Sequence, residues 1–258
     1  MSLLCLSLGL ALAAEPVTIP AGTVAQGSPG VPDAPPRTAT VSTFRIDTTE
    51  VSIADFARFA HNGGYQNDKA WSEAGRAWLA DHPEGHGAEA RAAGRAGDHP
   101  VVAVTWYEAD AYCRAAGGAL PTEAQWDRAA CGDGDRRYPW GDDEDSTVRW
   151  YDGGKFGYLQ NVNTAPVSEA DPALASPFGL VHAAGNVWEW TADWYDRDAW
   201  AREGDAEDPT GPAKGTWKAL RGGSYMNLPS YCTCSHREPA RPDRVAFTTG
   251  FRCAYPAK

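Results

Sequence analysis

An α+β chain in which loops carry much of the fold is predicted from three observations. Helical and strand signals are short and alternate along the whole length. The 258 residues include 27 Gly and 19 Pro, which means many turns. They also include 11 Trp, large rings suited to filling the space between irregular segments. The length suits one large domain, and no internal repeat divides it.

The elements follow in order. Met1 to Ala14 is an apolar run too short to span a bilayer, ending in small residues, and reads as a signal peptide cleaved near Ala13 or Ala14. The alternative is a buried first strand. Residues 15–258 then form the mature domain, in a periplasmic or secreted setting. Val17 and Ile19 alternate before a Gly/Ser turn and predict an edge strand; a Pro-rich connector covers Pro29 to Pro36. A strand over Thr43 to Asp47 leads to an amphipathic helix, with Ser52 as N-cap, Phe56 and Phe59 on one face, and Gly63-Gly64 as its stop. Trp71 to Gly97 predicts a surface excursion with a short helix over Trp71 to Leu79. His99 to Gly118 predicts a buried strand, a cap at Thr105 and a helix ended by Gly117-Gly118. Leu120 to Cys131 opens another helix, with Pro121 at its start and Thr122 and Glu123 in the first turn. Tyr138 to Pro177 is dense in turns, and the last quarter alternates short strands with loops.

Charge and cysteine content narrow the chemistry. A formal charge of −11 excludes the long-range attraction that draws proteins to nucleic acid or anionic membranes. Once Cys5 leaves with the signal, Cys113, Cys131, Cys232, Cys234 and Cys253 remain. In an oxidising compartment five cysteines make two disulfides and one leftover thiol. HPEGH (His82 to His86) gathers two His and a Glu, but Pro83 and Gly85 prevent a helix from aligning the rings, which predicts a solvated loop. There is no nucleophile-elbow, phosphate-loop or dinucleotide fingerprint.

Individually bland pieces acquire meaning from their order. FRIDTTEVS (Phe44 to Ser52), HPVVAVTWYEADAYC, LPTEAQWDRAAC, YPWGDD, AAGNVWEWTADWY, LRGGSY and GFRCA follow one another across nearly the whole mature chain. In that order they resemble the formylglycine-generating enzyme, or sulfatase-modifying-factor, family. The resemblance implies that family's fold, distantly similar to C-type lectin domains. The family includes oxidases that convert a sulfatase cysteine to formylglycine, relatives in ergothioneine and siderophore maturation, and members without known catalysis. Fold membership alone does not fix the activity.

By resemblance, the oxidases hold Cu(I) between two cysteines five residues apart after RGGS, because a soft ion prefers thiolates. Here the second is Cys232, the first position holds Asn227, and its neighbour is Leu228. An amide oxygen is a poor Cu(I) ligand. Ser224 and Tyr231 match the serine and tyrosine that flank the reacting sulfur. The resemblance thus implies a cleft bordered by Ser224, Asn227, Tyr231 and Cys232 that takes a peptide, such as a sulfatase segment, or a small substrate. Two functions follow: an oxygen- and metal-dependent oxidase, or a catalytically inactive binding module on the same fold. For Cys232 three roles stay open: one thiolate of a copper site completed by substrate, a small buried remnant of ancestry, or exchange with a Cys131 disulfide alongside Cys234, two residues on along a strand.

The remaining carry-overs are structural. Cys113 is expected to pair with Cys253; Cys131 with Cys234 is the weaker match, since Cys234 stands a few residues from the family's usual partner position. If both form, Cys232 is the leftover thiol. AAGNVWEW resembles a calcium loop, with Ala184, Gly185 and Val187 giving backbone oxygens and Glu189 its carboxylate. The competing reading makes Trp188 and Trp190 core rings and pairs Glu189 with an arginine. A second calcium loop would fall near Val148 to Asn163, where no ligands are recognisable. RGGS also reads as a tight turn packing Leu220 and Tyr225.

Overall fold

The computed structural model describes residues 16–86, 96–145, 148, 164–169 and 171–258. The expected signal peptide and most of the second calcium segment lie outside these residues. Among them are ten strands in three small sheets and five α-helices, linked by turns and single 3-10 turns. The expected α+β class, rich in irregular backbone, is the one observed.

The first sheet joins β1 (Val17–Ile19), β4 (Phe44–Ile46) and β10 (Ala254–Pro256), with β4 central and Val17 opposite Ile46. The second joins β2 (Gly22–Gln26), β3 (Arg37–Val41) and β6 (Ala206–Glu207). The third, in the order β8-β7-β5-β9, contains β5 (Trp188–Tyr195), β7 (Trp217–Arg221), β8 (Glu238–Ala240) and β9 (Thr249–Gly250). Strands β5 and β7 run antiparallel, with Glu189 opposite Arg221. That pairing brings the GNVWEW and RGGS segments side by side.

The helices form where local signals are strong. Helix α1 (Ile53–His61) starts at Ser52, whose hydroxyl accepts the Asp55 N–H, and buries Phe56 and Phe59. Helix α2 (Glu73–Asp81) is capped by Ser72, so Trp71 precedes the helix instead of starting it. Thr105 caps α3 (Trp106–Ala115) in a reciprocal box with Glu108, and Thr122 caps α4 (Glu123–Cys131) in another with Gln125. Pro121 therefore stands one residue before the α4 cap. Helix α5 (Ala199–Glu203) is a single short turn and a half. One core cluster gathers Phe56, Phe59, Trp71, Tyr112 and Phe251; a second, around Trp126, fills the space between α4 and the first two sheets. Each fully buried aromatic contributes roughly 1.5–3 kcal/mol relative to exposure.

Two expectations about strands change. The N-terminal edge strand is two strands, β1 and β2, which pair with different partners. The apolar run Val101–Val104 is buried but is not a strand: Ala103 has φ 60°, which ends a ladder. Its N–H groups go to different elements, Val101 to the Val51 carbonyl (2.9 Å) and Ala103 to the Ala246 carbonyl (3.0 Å).

Two disulfides close the fold, Cys113–Cys253 between α3 and the GFRC segment and Cys131–Cys234 between the end of α4 and the segment after Cys232. Both expected pairings are present, and Cys232 is the free, buried cysteine among the described residues. No helix among the described residues is long and apolar enough to cross a membrane.

Candidate functional site

Three buried ion pairs fix the segments that meet at Cys232. Arg221, at the end of β7, donates from Nε to the Asp127 carboxylate on α4 (2.9 Å), which also accepts from Gln26. Arg237 binds Glu123 through two nitrogens, at 2.8 and 2.7 Å. Arg252 binds Glu189 in the same forked way, 2.7 Å on each side, and donates to the Thr48 and Val181 carbonyls. A bidentate guanidinium–carboxylate pair sets orientation as well as position. These pairs are internal braces, not solvent-facing charges.

Between the braces the chain turns tightly through Gly222 (φ +89°) and Gly223 (φ +76°). A Cβ on Gly223 would lie 2.3 Å from the Cys232 sulfur, so only glycine lets the turn close over that thiol. Ser224 is fully buried, and its hydroxyl donates to the Asn227 amide oxygen at 2.5 Å. Asn227 in turn donates its backbone N–H to the Ser224 carbonyl (2.9 Å). Leu220 and Tyr225 are buried, as the tight-turn reading of this segment requires, and the Ser224 hydroxyl is spent on Asn227 within the turn.

Cys232 is 1% exposed. Backbone hydrogen bonds from Gly185 and Ser224 favour its thiolate, but burial outweighs them and pushes the thiol up to about 12. The S–H points to the Leu228 carbonyl at 3.7 Å. Cys232 packs in one cluster with Tyr138, Val148 and Ala184, and the last two also line a cavity of about 280 Å³ together with Trp140, Leu174 and His182. Burial lowers the His182 imidazole there to about 4.

The expected site residues thus come together only in part. Ser224 and Asn227 share one turn, and Cys232, after a separate 3-10 turn, packs against Gly223 beside it. Tyr231 does not join them: it ends a 3-10 turn, is largely exposed, and its ring lies 4.9 Å from that of His236. That 3-10 turn also means that Cys232 and Cys234 do not share a strand face, and Cys234 is bonded to Cys131.

The donors present do not fit a two-thiolate copper site. One thiol is available, and the residue in the other place is a hard amide oxygen held by Ser224. Nor do they fit calcium at Glu189. One of its oxygens accepts from Arg252 and from the Trp126 indole (2.8 Å), the other from Arg252, so its charge is already matched. Trp188 and Trp190 are buried core rings around it. Among the described residues no three His, Cys, Asp or Glu side chains are grouped to hold an ion. HPEGH is the expected loop and not a helix, with Pro83 and Glu84 exposed, but its histidines are not fully solvated: the His82 and His86 rings lie 4.7 Å apart, both packed on Trp78.

Sequence reasoning missed Glu50 and Asn186. Asn186 takes φ 56°, which Asn tolerates, and its side chain ties Ala165 N–H (2.8 Å) to Glu50 (2.9 Å). Glu50 is fully buried, with Oε2 unpartnered, and burial raises its carboxyl to about 8.

Residues 10–257 match the model of the sulfatase-modifying factor enzyme 1-like domain. The chain belongs to this family. It is 38% identical to the formylglycine-generating enzyme of Thermomonospora curvata, with 92% of each chain covered. It is 33% identical to the hercynine oxygenase of Mycobacterium tuberculosis, over 86% of this chain and 54% of that protein. Among solved structures, Treponema denticola variable protein 1 superposes with a TM-score of 0.71 at 22% identity, covering 94% and 95% of the two chains. PvdO from Pseudomonas aeruginosa gives 0.69 at 20%, covering 94% of each. These structures share the fold, and the two curated relatives are, by name, a formylglycine-generating enzyme and a hercynine oxygenase.

Proposed function

We propose that this protein is an exported member of the family that binds an extended peptide or small thiol at the partly exposed Asn227 turn, beside the buried Ser224 and Cys232. Alone, it does not assemble the oxidases' copper centre. One observation carries the reading: at the position where the resemblance implies the first thiolate, an Asn227 amide oxygen is held by the Ser224 hydroxyl, and burial favours the neutral form of the one free cysteine among the described residues, Cys232. A neutral thiol is a poor metal ligand and a poor nucleophile. The two disulfides support an oxidising, extracytoplasmic compartment.

The experiment is a Cu(I) titration of the full chain, alone and with a cysteine peptide, against Asn227→Cys. The native chain is expected to bind no copper tightly in either state, and Asn227→Cys to gain a copper site. Native protein that purifies with copper and oxidises a cysteine peptide unaided overturns the proposal.

A second reading has its own support: 38% identity to a formylglycine-generating enzyme over 92% of the chain, with Cys232 kept out of both disulfides. In it the substrate thiol supplies the second sulfur. Tight Cu(I) binding that needs both the peptide and Cys232 is its signature.

A further inference from the structure

A second cavity, about 560 Å³, shares no lining residue with the one beside Cys232. Its walls are the end of β2 with Ser28, the loop after α4 with Arg136 and Arg137, and the segment bearing Ser230, Thr233 and Ser235. The Cys131–Cys234 disulfide ties two of these walls together, since Cys131 ends α4 and Cys234 lines the cavity. Such a crosslinked wall is organised before any ligand arrives.

The charged groups here are not equivalent. Arg137 pairs with Glu144 (3.1 Å) and lies over the Tyr138 ring. Asp142 accepts the Arg137 backbone N–H (2.9 Å). Asp135 also lines the cavity, without an ion pair to Arg136 among the described residues. Among the described residues Arg136 makes one long hydrogen bond, to the Pro139 carbonyl at 3.4 Å, and its Nε is buried with no acceptor. That Nε is closed off from the cavity, so a ligand would meet the terminal nitrogens of Arg136, Nη1 and Nη2. A guanidinium fork matches the two oxygens of a carboxylate, sulfate or phosphate. The four hydroxyls can both donate and accept, although Thr233 and Ser235 already contact each other at 3.3 Å. A bare inorganic anion would leave most of such a volume empty; organic ligands occupy pockets of roughly 300–1,000 Å³.

We propose that this cavity binds a small hydroxylated organic molecule carrying an oxyanion, with Arg136 gripping the oxyanion and the serine and threonine hydroxyls meeting its hydroxyl groups. The site is separate from the cleft at Cys232 and independent of whether that cleft is catalytic.

The test is calorimetric titration of the full chain with glucuronate, glucose 6-sulfate and glucose 6-phosphate, with glucose as the neutral control. At least one charged sugar is expected to bind with a submillimolar dissociation constant, and glucose at least about tenfold more weakly. Arg136→Ala is expected to weaken that binding by about tenfold or more, and Arg136→Lys, which keeps the charge but loses the fork, to weaken it as well. Both variants should keep the native unfolding midpoint; should Arg136→Ala not fold, Arg136→Lys carries the comparison. Ser224→Ala, in the cleft, should leave sugar binding unchanged. The proposal is overturned if none of the three charged sugars binds, if glucose binds equally well, or if the Arg136 variants bind as the native chain does. The charged sugar that binds tells carboxylate, sulfate and phosphate apart.

Discussion

Gly223→Ala tests whether the turn over Cys232 is as tight as the geometry requires. Two effects act at this position, and they can be separated. The backbone has φ +76°, where a side chain costs about 1–2 kcal/mol. The new methyl would also meet Cys232 Sγ at 2.3 Å and its Cα at 2.9 Å, an overpacking that costs about 1–3 kcal/mol more. The expected loss in urea denaturation is the sum, about 2–5 kcal/mol. Gly30→Ala isolates the first effect: Gly30 has φ +82° but nothing within 4 Å of a Cβ. It should lose only about 1–2 kcal/mol. Cys232→Ala isolates the second, because it removes the sulfur but leaves the Cα. The double variant Gly223→Ala/Cys232→Ala should therefore be less destabilised than the sum of the single changes, by at least about 1 kcal/mol. Additivity within about 0.5 kcal/mol would refute the argument, because the methyl and the sulfur would then not compete for one space.

Two further outcomes follow from the buried charges. Breaking the Glu189–Arg252 pair with Glu189→Gln leaves a guanidinium uncompensated in the core and should cost about 3–5 kcal/mol in urea unfolding; a loss under about 1 kcal/mol would mean that the braces do not hold the site. Stability should also fall as pH rises from 6.5 to 8. Burial raises Glu50 to about 8, and burial, with Glu123 nearby, raises Asp193 to about 8. A carboxyl raised in this way contributes stability that is fully present below its unfolded value and is lost as pH rises through the folded one. His182, lowered from 6.5 to about 4, opposes this trend only below 6.5. Urea midpoints measured across that interval should decline with pH, and Glu50→Gln should flatten the decline. A flat or rising native profile would contradict the assignment.

The sequence is most legible where a signal is local. Ser52 and Thr105 each cap the helix expected of them through a residue three positions on, whereas Thr122, expected in the first turn, is itself the cap of α4. Strands depend on partners far away in the chain, and their reading was poorer. An apolar run such as Val101–Val104 looks like a strand until Ala103 turns left-handed and its neighbours bond two unrelated loops. The strand β3 turns Arg37, Ala39 and Val41 inward, so a charged residue interrupts its buried face and no strong apolar alternation is left. Within the site, the departure at Asn227 was visible because it interrupts a spacing. Its bond to Ser224 was not, since that requires the turn itself. Glu50 gave no signal: one acid in a polar segment reads as surface, and only the folded chain shows it enclosed beside Asn186 and near Arg252.

The motifs that identify the family and the residues that decide its chemistry occupy different physical environments here. Arg221, Arg252, Glu189 and the Gly222-Gly223 turn are buried and engaged with one another or with the core, so each is held in place by stability. Asn227 and Leu228 lie on a partly exposed turn where stability constrains little. Asn227→Cys should accordingly lower the unfolding free energy by no more than about 1–3 kcal/mol, the cost of leaving the buried Ser224 hydroxyl without its acceptor. A much larger loss would mean that the asparagine is itself a structural part of the turn. In that case its presence, in place of a thiolate, would reflect a requirement of folding and carry no information about the substrate.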